Sequence, residues 1–411
     1  MQRSIRILML LMVSWSCLSL YGQTVNSGER DNKPEKIDDR YLHLFSEERM
    51  LDSSTGYFTG LPAAVVHKGM IYVVYTYHSQ HQSVPGVEQD YCYYRLSKDG
   101  GKTWSRRLRL KFPSSQIPGL SYDYRGLQMV NAGDRILCMG ILVPSDSNGI
   151  KAYSSFYCEL EARKNGKLKY SRFTLMPQIT QDGRHIKDPV QPGDKDKTSN
   201  IVAGNILLHD GYLYWCNYNS ARNVQLLRWN AAAGDYPVAK TMEILANIGD
   251  NSKEHRYSEV GMFCTNGVIY MSIRDEYAQN SNWKYDIKER SLQHLGNTMT
   301  KAFGPNIHKP QTGPALLTGR QYTYLKSSNQ LTRMDNLILL SSKGEIIKEN
   351  IGFVGHPMGG DSMYCSTVES DGTIYIFYYY GMNSSQVSPN SHYVLAYKTI
   401  KTEDLQKLMK Q

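Results

Sequence analysis

The chain has 411 residues, 41% hydrophobic and 21% charged, with 47 basic against 38 acidic side chains and a net charge of +9. That length exceeds one ordinary core and points to two domains or one large symmetric one. The basic residues are scattered without a dense run, which argues against a nucleic-acid partner and leaves a solvated basic surface with a mild preference for anionic substrates.

The chain opens with "MQRSIRILMLLMVSWSCLSLYGQ", where Arg3 and Arg6 precede an apolar run and small residues follow. This reads as a signal peptide over residues 1–22, cleaved near Gly22, and implies a secreted or periplasmic protein. A lipid anchor on Cys17 is the weaker alternative, because Ser14 stands where such a motif needs an aliphatic residue. No other apolar run is long enough to span a bilayer. Residues 23–45 read as an N-terminal extension, 46–400 as the folded domain and 401–411 as a tail. In that tail, "KTEDLQKLMK" suggests a short helix with Thr402 as its N-cap.

Between these ends helical periodicity is almost absent. Short runs rich in Tyr, Val and Ile are broken by Gly, Asn and Asp. One unit recurs: an apolar strand, a tight turn closing on glycine, and a second strand. Its copies are "AAVVHKGMIYVVYTY", "LQMVNAGDRILCMGIL", "NILLHDGYLYWCNYN", "GMFCTNGVIYMSIRD", "ALLTGRQYTYLKS" and "TVESDGTIYIFYYY". Their glycines are Gly69, Gly133, Gly211, Gly267, Gly319 and Gly372, spaced 52 to 78 residues apart. Hairpin turns need a residue at positive φ, which glycine supplies. Six such units predict an all-β, six-bladed β-propeller, with outer strands in the spacers. A pair of sandwiches is the rival all-β arrangement. Radial closure favours the propeller because it protects strand edges.

"SKDGGKTWS" follows the second strand-like run after the first hairpin. It matches the Asp-box pattern Ser-x-Asp-x-Gly-x-Thr-Trp. Asp99 is expected to accept backbone N–H groups across the turn, Gly101 to adopt positive φ, and Trp104 to pack between strands. This is a structural staple without chemistry. Six cysteines remain after the signal: Cys92, Cys138, Cys158, Cys216, Cys264 and Cys365. They lie mostly inside strand-like runs and form no CxxC pair. Buried thiols with at most one bridge, and no zinc site, are expected. No cofactor and no metal cluster is indicated, and a monomer is expected.

In a propeller the inner strands converge on the axis, so strand ends at its mouth are natural site positions. Eight residues before each repeat glycine lie Leu61, Arg125, Ala203, Glu259, Gln311 and Tyr364. Seven residues after lie Thr76, Gly140, Tyr218, Arg274, Lys326 and Tyr379. Polar groups thus gather at equivalent positions. Simple solvent exposure of strand ends is the competing explanation.

These positions, the Asp-box, "SEVGMFCTNGVIYMSIRD", "LTRMDNLILLSS" and "DSMYCSTVESDGTIYIFYYY" resemble the sialidase (neuraminidase) superfamily over nearly the whole chain after the signal. The resemblance implies a tyrosine nucleophile with a glutamate partner, an aspartate acid/base, and three arginines that grip a sugar carboxylate. It assigns Tyr364 as nucleophile, Glu259 as its partner, and Arg274 and Arg333 as the second and third arginines. A phenol is a poor nucleophile unless a carboxylate takes its proton, and guanidinium forks suit a carboxylate. The chain departs from the pattern in two places. Gly60 in "TGLPAAVV" stands where the first arginine belongs, with Arg125 as a substitute from the next blade. The acid aspartate is off its usual offset, with Asp90 the best candidate in "HSQHQSVPGVEQDYCYYR".

His78 and His81 sit in that same loop and could serve as acid or base, as histidines do in other sugar-cleaving propellers. The substrate partner is expected to be a glycan. Three readings stay open. One is a sialidase-type exo-glycosidase. Another is a propeller hydrolase or polysaccharide lyase acting on uronate- or rhamnose-containing glycans. The last is a non-catalytic glycan-binding module.

Overall fold

The computed structural model describes residues 38–79, 85–150, 153–180, 182–187, 200–202, 204–219, 222–249, 254–325, 330–355, 362–381 and 390–410. At residues 200, 322–325, 330–333 and 410 it describes the backbone only. The signal sequence, most of the N-terminal extension, His81 and Lys326 lie outside the described residues.

Among the described residues the strands form six antiparallel sheets of four or five strands, each one blade, and a two-stranded ribbon of Gln178–Ile179 with Ile186–Lys187. In order from the axis outward, blade 1 holds Phe58–His67, Met70–His78, Tyr91–Ser97 and Leu108–Lys111. Blade 2 holds Ser121–Asn131, Ile136–Asp146, Ser154–Ala162 and Leu168–Leu175. In blade 3 the inner edge is split into Asn200–Val202 and Leu207–His209, followed by Tyr212–Asn219, Val224–Asn230 and Met242–Ile248. Blade 4 holds Tyr257–Thr265, Val268–Asp275, Ser281–Asp286 and Ser291–Asn297. Blade 5 holds Phe303–His308, Ala315–Leu325, Gln330–Leu340 and Ile346–Ile351.

Blade 6 joins the two ends of the domain. Ser366–Ser370, Thr373–Gly381 and His392–Lys401 take their fourth, outer strand from Arg49–Thr55. The ring is therefore closed by hydrogen bonds between strands far apart in sequence, and Arg49–Thr55 covers the edge that His392–Lys401 would otherwise leave bare. Residues 38–45 also pack onto the propeller: Tyr41 and Phe45 are buried in one core cluster with Leu316, Ile351 and Ile376. At the other end, Leu405 and Leu408 of the helix Leu405–Lys410 enter the same cluster. The Thr402 hydroxyl bonds Glu369 at 3.2 Å instead of capping that helix.

Six apolar clusters fill the six seams between neighbouring blades. Each buried aliphatic or aromatic side chain there contributes roughly 1.5–3 kcal/mol. Cys92, Cys138, Cys158, Cys216 and Cys365 are buried as free thiols, and Cys264 is partly buried.

Five of the six repeat glycines close the turn between a blade's first and second strands, all at positive φ: Gly69, Gly133, Gly211, Gly267 and Gly372. Gly319 does not. It lies inside the strand Ala315–Leu325, where an added Cβ would come within 2.8 Å of the Ala302 backbone. The blade 5 turn is instead the longer loop after His308, with Gly313 at φ +94. This shifts every position counted from that glycine.

The Asp-box is built as the sequence suggests. Thr103 N–H donates to Asp99 Oδ1 at 2.9 Å, the Ser97 hydroxyl donates to the same oxygen at 2.8 Å, and Gly101 N–H donates to Ser97 Oγ at 2.8 Å. The hydrogen bonds from Thr103 and Ser97 hold the Asp99 carboxyl down at about 2. The turn staples blade 1 to blade 6. Trp104 Nε1 donates to Tyr397 Oη at 3.1 Å, and its ring meets Phe377 edge-on at 5.8 Å.

Gly101 and Gly69 share a positive φ, but only Gly101 is pressed from outside: a Cβ there would lie 2.6 Å from Tyr375 Cε1, whereas nothing lies within 4 Å at Gly69. Gly69→Ala should therefore lose about 1–2 kcal/mol of unfolding free energy, the cost of a left-handed alanine. Gly101→Ala should lose clearly more. Urea titration of the two variants checks this, and equal losses would refute the stapling role of the turn.

Candidate functional site

Four inner strands shift register near their starts, between Gly60 and Ala63, Arg125 and Gln128, Tyr257 and Val260, and Phe303 and Asn306. A bulge of this kind re-aims side chains out of the ladder. The bulges of blades 4 and 5 carry Glu259 and Gly304, and the segment leading into blade 6 carries Tyr364.

Glu259 is the hub. The Tyr364 hydroxyl donates to its Oε1 at 2.8 Å. Arg274 Nη1 donates to both carboxylate oxygens, at 2.8 and 2.7 Å. The Gly304 N–H reaches Oε2 at 3.3 Å. Gly304 sits at φ +66, and a Cβ there would lie 2.8 Å from Tyr364 Cδ1. Only glycine lets the phenol ring lie against this bulge.

A second guanidinium completes the cluster. The Arg320 Cζ lies 4.9 Å from the Tyr364 ring centroid, and its Nη1 donates to the Ser362 carbonyl at 2.8 Å. Arg274 lies over the Phe303 ring at 4.6 Å, and Arg320 is the register partner of Phe303. Burial pushes the Glu259 carboxyl up, but the Arg274 charge and hydrogen bonds, the Arg320 charge and the Tyr364 hydroxyl outweigh it and hold the group below the usual carboxylate range. Burial alone would lower the Arg274 pKa, and the Glu259 charge more than reverses that. Tyr218 is pushed up by burial and then by the nearby Glu259 charge, so it stays a neutral phenol.

Of the residues expected from sequence, Tyr364, Glu259 and Arg274 come together. Arg333 lies on the third strand of blade 5, opposite Tyr322 of the second, and its side chain is not described. The position beside Tyr364 belongs to Arg320, which sequence reasoning missed. The signal was present: Arg320 follows the true turn glycine, Gly313, by seven residues, as Arg274 follows Gly267. Gly304 was missed because nothing local marks a bulge.

The remaining expectations need correction. Gln311 falls in the blade 5 turn, where its N–H donates to Glu369 Oε2 at 2.9 Å, at the blade end opposite Glu259. Tyr379 is fully buried and acts as a wall, stacked on Tyr364 with centroids 6.4 Å apart. Asp90 is held by Arg109 at 2.7 Å and Lys111 at 3.2 Å, both from the outer strand of its blade, so its carboxylate is tied outward. Arg125 gives its Nε and Nη2 to Asp123 Oδ2, at 2.8 and 2.7 Å. His78 faces the other oxygen of Asp123 at 3.4 Å, and both side chains are 2% exposed. The substitute arginine is thus bound into a buried group with His78.

The space next to Gly60 is also filled. A Cβ at Gly60 would lie 2.6 Å from Tyr379 Cδ2 and 2.8 Å from Phe58 Cζ. No side chain can extend there while those rings stay in position. The described residues contain no group of three or more metal-ligating side chains, and no described helix is long and apolar enough to cross a membrane.

No protein-family model and no curated protein matches the sequence. Solved structures do match. A protein of unknown function from Dyadobacter fermentans aligns with a TM-score of 0.59 and 13% identity, over 86% of this chain and 99% of that one. The Trypanosoma rangeli sialidase, solved with the inhibitor DANA, aligns with a TM-score of 0.56 and 11% identity, over 86% of this chain but only 56% of its own. The NanB sialidase of Streptococcus pneumoniae aligns with a TM-score of 0.55 and 11% identity, over 88% of this chain and 71% of its own. At such identities the likeness concerns architecture: the chain is a divergent six-bladed β-propeller of the sialidase type.

Proposed function

We propose that the protein is an exported glycoside hydrolase that removes a terminal acidic sugar from a glycan with retention of configuration, through Tyr364. The observation that carries this reading is the 2.8 Å hydrogen bond from the Tyr364 hydroxyl to Glu259. Glu259 takes the phenolic proton as Tyr364 Oη attacks the anomeric carbon, and the glycosidic bond to the leaving oxygen breaks. Water then attacks the glycosyl-tyrosine and gives its proton back to the group that protonated the leaving oxygen, while the released phenolate regains its own proton from Glu259. Arg274 and Arg320 receive the sugar carboxylate. A sialic acid is the sugar that the family resemblance favours. The proton donor to the leaving oxygen is not assigned, since Asp90 is turned to the outer strand.

A second reading has its own observation. With Gly60 walled off by Tyr379 and Phe58, the sugar carboxylate meets two guanidiniums and an aromatic face. That composition also suits a uronate, cleaved by a hydrolase or by elimination. In the elimination, Tyr364 would pass its own proton to Glu259 and take the C5 proton as the O4 substituent leaves, forming a C4–C5 double bond.

Aryl sialosides and aryl uronides test the pair directly, because a phenolic leaving group needs little help from an acid. Release of aryl alcohol should fall at least about a hundredfold in Tyr364→Phe and in Glu259→Gln. Unsaturated uronate absorbance from acidic polysaccharides would select elimination. Full activity in Tyr364→Phe would end both readings.

The electrostatics make a separate prediction. Glu259 must be ionised to act as base, and the guanidiniums hold its pKa down, so activity should persist below the usual carboxylate range. In Arg274→Met the opposing charge is gone and burial raises the pKa. The acid limb of the residual kcat/KM profile should therefore move to higher pH. An unmoved limb would show that another group sets it.

A further inference from the structure

Tyrosines cluster along blade 1 in a way the site above does not use. Tyr57, 45% exposed, immediately precedes the inner strand. Its ring stacks on Tyr77 of the second strand at 5.2 Å and 15°. Tyr77 meets Tyr93 of the third strand edge-on at 5.3 Å, and Tyr93 meets Tyr91 at 5.3 Å. Cations of the fourth strand's margin cover this row: Arg107 lies 4.2 Å from the Tyr77 centroid and Arg109 lies 3.8 Å from that of Tyr91.

Tyr57, Tyr77 and Tyr93 occupy the start of the first strand and then the second and third strands, so the row runs radially that far; Tyr91 continues it along the third strand, beside the cations of the outer one. The register sets it: Tyr75 faces Tyr93, and Tyr93 and Tyr91 face Arg109 and Lys111. The row is also fixed in advance. Asp52 of blade 6 grips Arg107 through Nε at 2.8 Å and Nη2 at 2.7 Å, which holds that guanidinium over its ring. Four cations (Arg95, Arg107, Arg109 and Lys111) meet two carboxylates, Asp52 and Asp90. The surplus is positive, and its outer members, Arg109 and Lys111, are 49% and 66% exposed.

We propose that this ladder is an extended binding track for the chain of an acidic polysaccharide, leading outward from the axis. That its inner end meets the reacting sugar rests on the reading of the mouth given above. Tyrosine rings offer flat apolar faces with a polar tip at low entropic cost, which suits the CH-lined face and hydroxyl edge of a pyranose. The arginines and Lys111 take its carboxylates or sulfates. Single-stranded nucleic acid also uses rings and cations, so an oligonucleotide serves as the competing probe.

The track is tested in the full chain with Tyr364→Phe, so that binding is read without turnover. The probes are polysialic acid and polygalacturonate, measured by calorimetry across a salt series. Tyr57→Ala with Tyr93→Ala should weaken binding about tenfold, the scale of two lost aromatic contacts. Arg109→Ala with Lys111→Ala should weaken it and flatten its salt dependence. Lys164→Ala with Lys343→Ala, which removes exposed cations elsewhere, should bind like the parent. Tyr57→Ala alone, at a half-exposed site, keeps the test decisive if the double variant unfolds. Unchanged affinity in the ladder variants, no binding to either polymer, or equal affinity for a single-stranded oligonucleotide would overturn the proposal. Failed hydrolysis with intact, ladder-dependent binding would instead sink the reading of the mouth.

Discussion

A largely buried carboxylate between two guanidiniums governs this molecule. Charge taken out of water is costly unless paired and hydrogen-bonded. Glu259 meets that condition through Arg274, the Gly304 N–H and the Tyr364 hydroxyl. These partners come from blades 4, 5 and 6, so the pairing can exist only when three blades are in position. Arg320 stands beside the pair, its Nη1 donating to the Ser362 carbonyl and its guanidinium lying 4.9 Å from the Tyr364 ring centroid. The phenol donates to Glu259, and its ring is fixed between Tyr379 and the Gly304 bulge.

Much of this was legible in the sequence, and the physical reasons are specific. Turn glycines at positive φ are a backbone requirement, so the repeat could be counted directly from Gly69, Gly133, Gly211, Gly267 and Gly372. Counting from Gly267 and Gly372 led to Glu259, Arg274 and Tyr364. The count failed once, in blade 5, where Gly319 is a glycine for a different reason: the Ala302 backbone passes too close for a side chain. Glycine required by contact and glycine required by conformation look alike in a string of letters. That single confusion hid Arg320 and promoted Gln311 and Lys326.

Other losses came from tertiary pairing. Nothing local to Asp90 announces that Arg109 and Lys111 of the neighbouring strand will hold its carboxylate, and nothing near Arg125 announces Asp123 and His78 as its company. The glycine at position 60 was noticed as a missing arginine. Its meaning appears only in three dimensions, where two rings occupy the vacated volume. The rim beside Gly60 is aromatic, formed by Tyr379 and Phe58.

The outer strand of blade 6 has a consequence for how the molecule comes into being. Thr55 and His392 are partners across 337 positions of chain. A contact that distant carries a large loop-closure entropy and forms late. Five blades can settle while the sixth waits for its missing edge. During that interval the newly made protein presents a bare strand edge to its surroundings. Pairing of Arg49–Thr55 with His392–Lys401 is then the last step of ring closure.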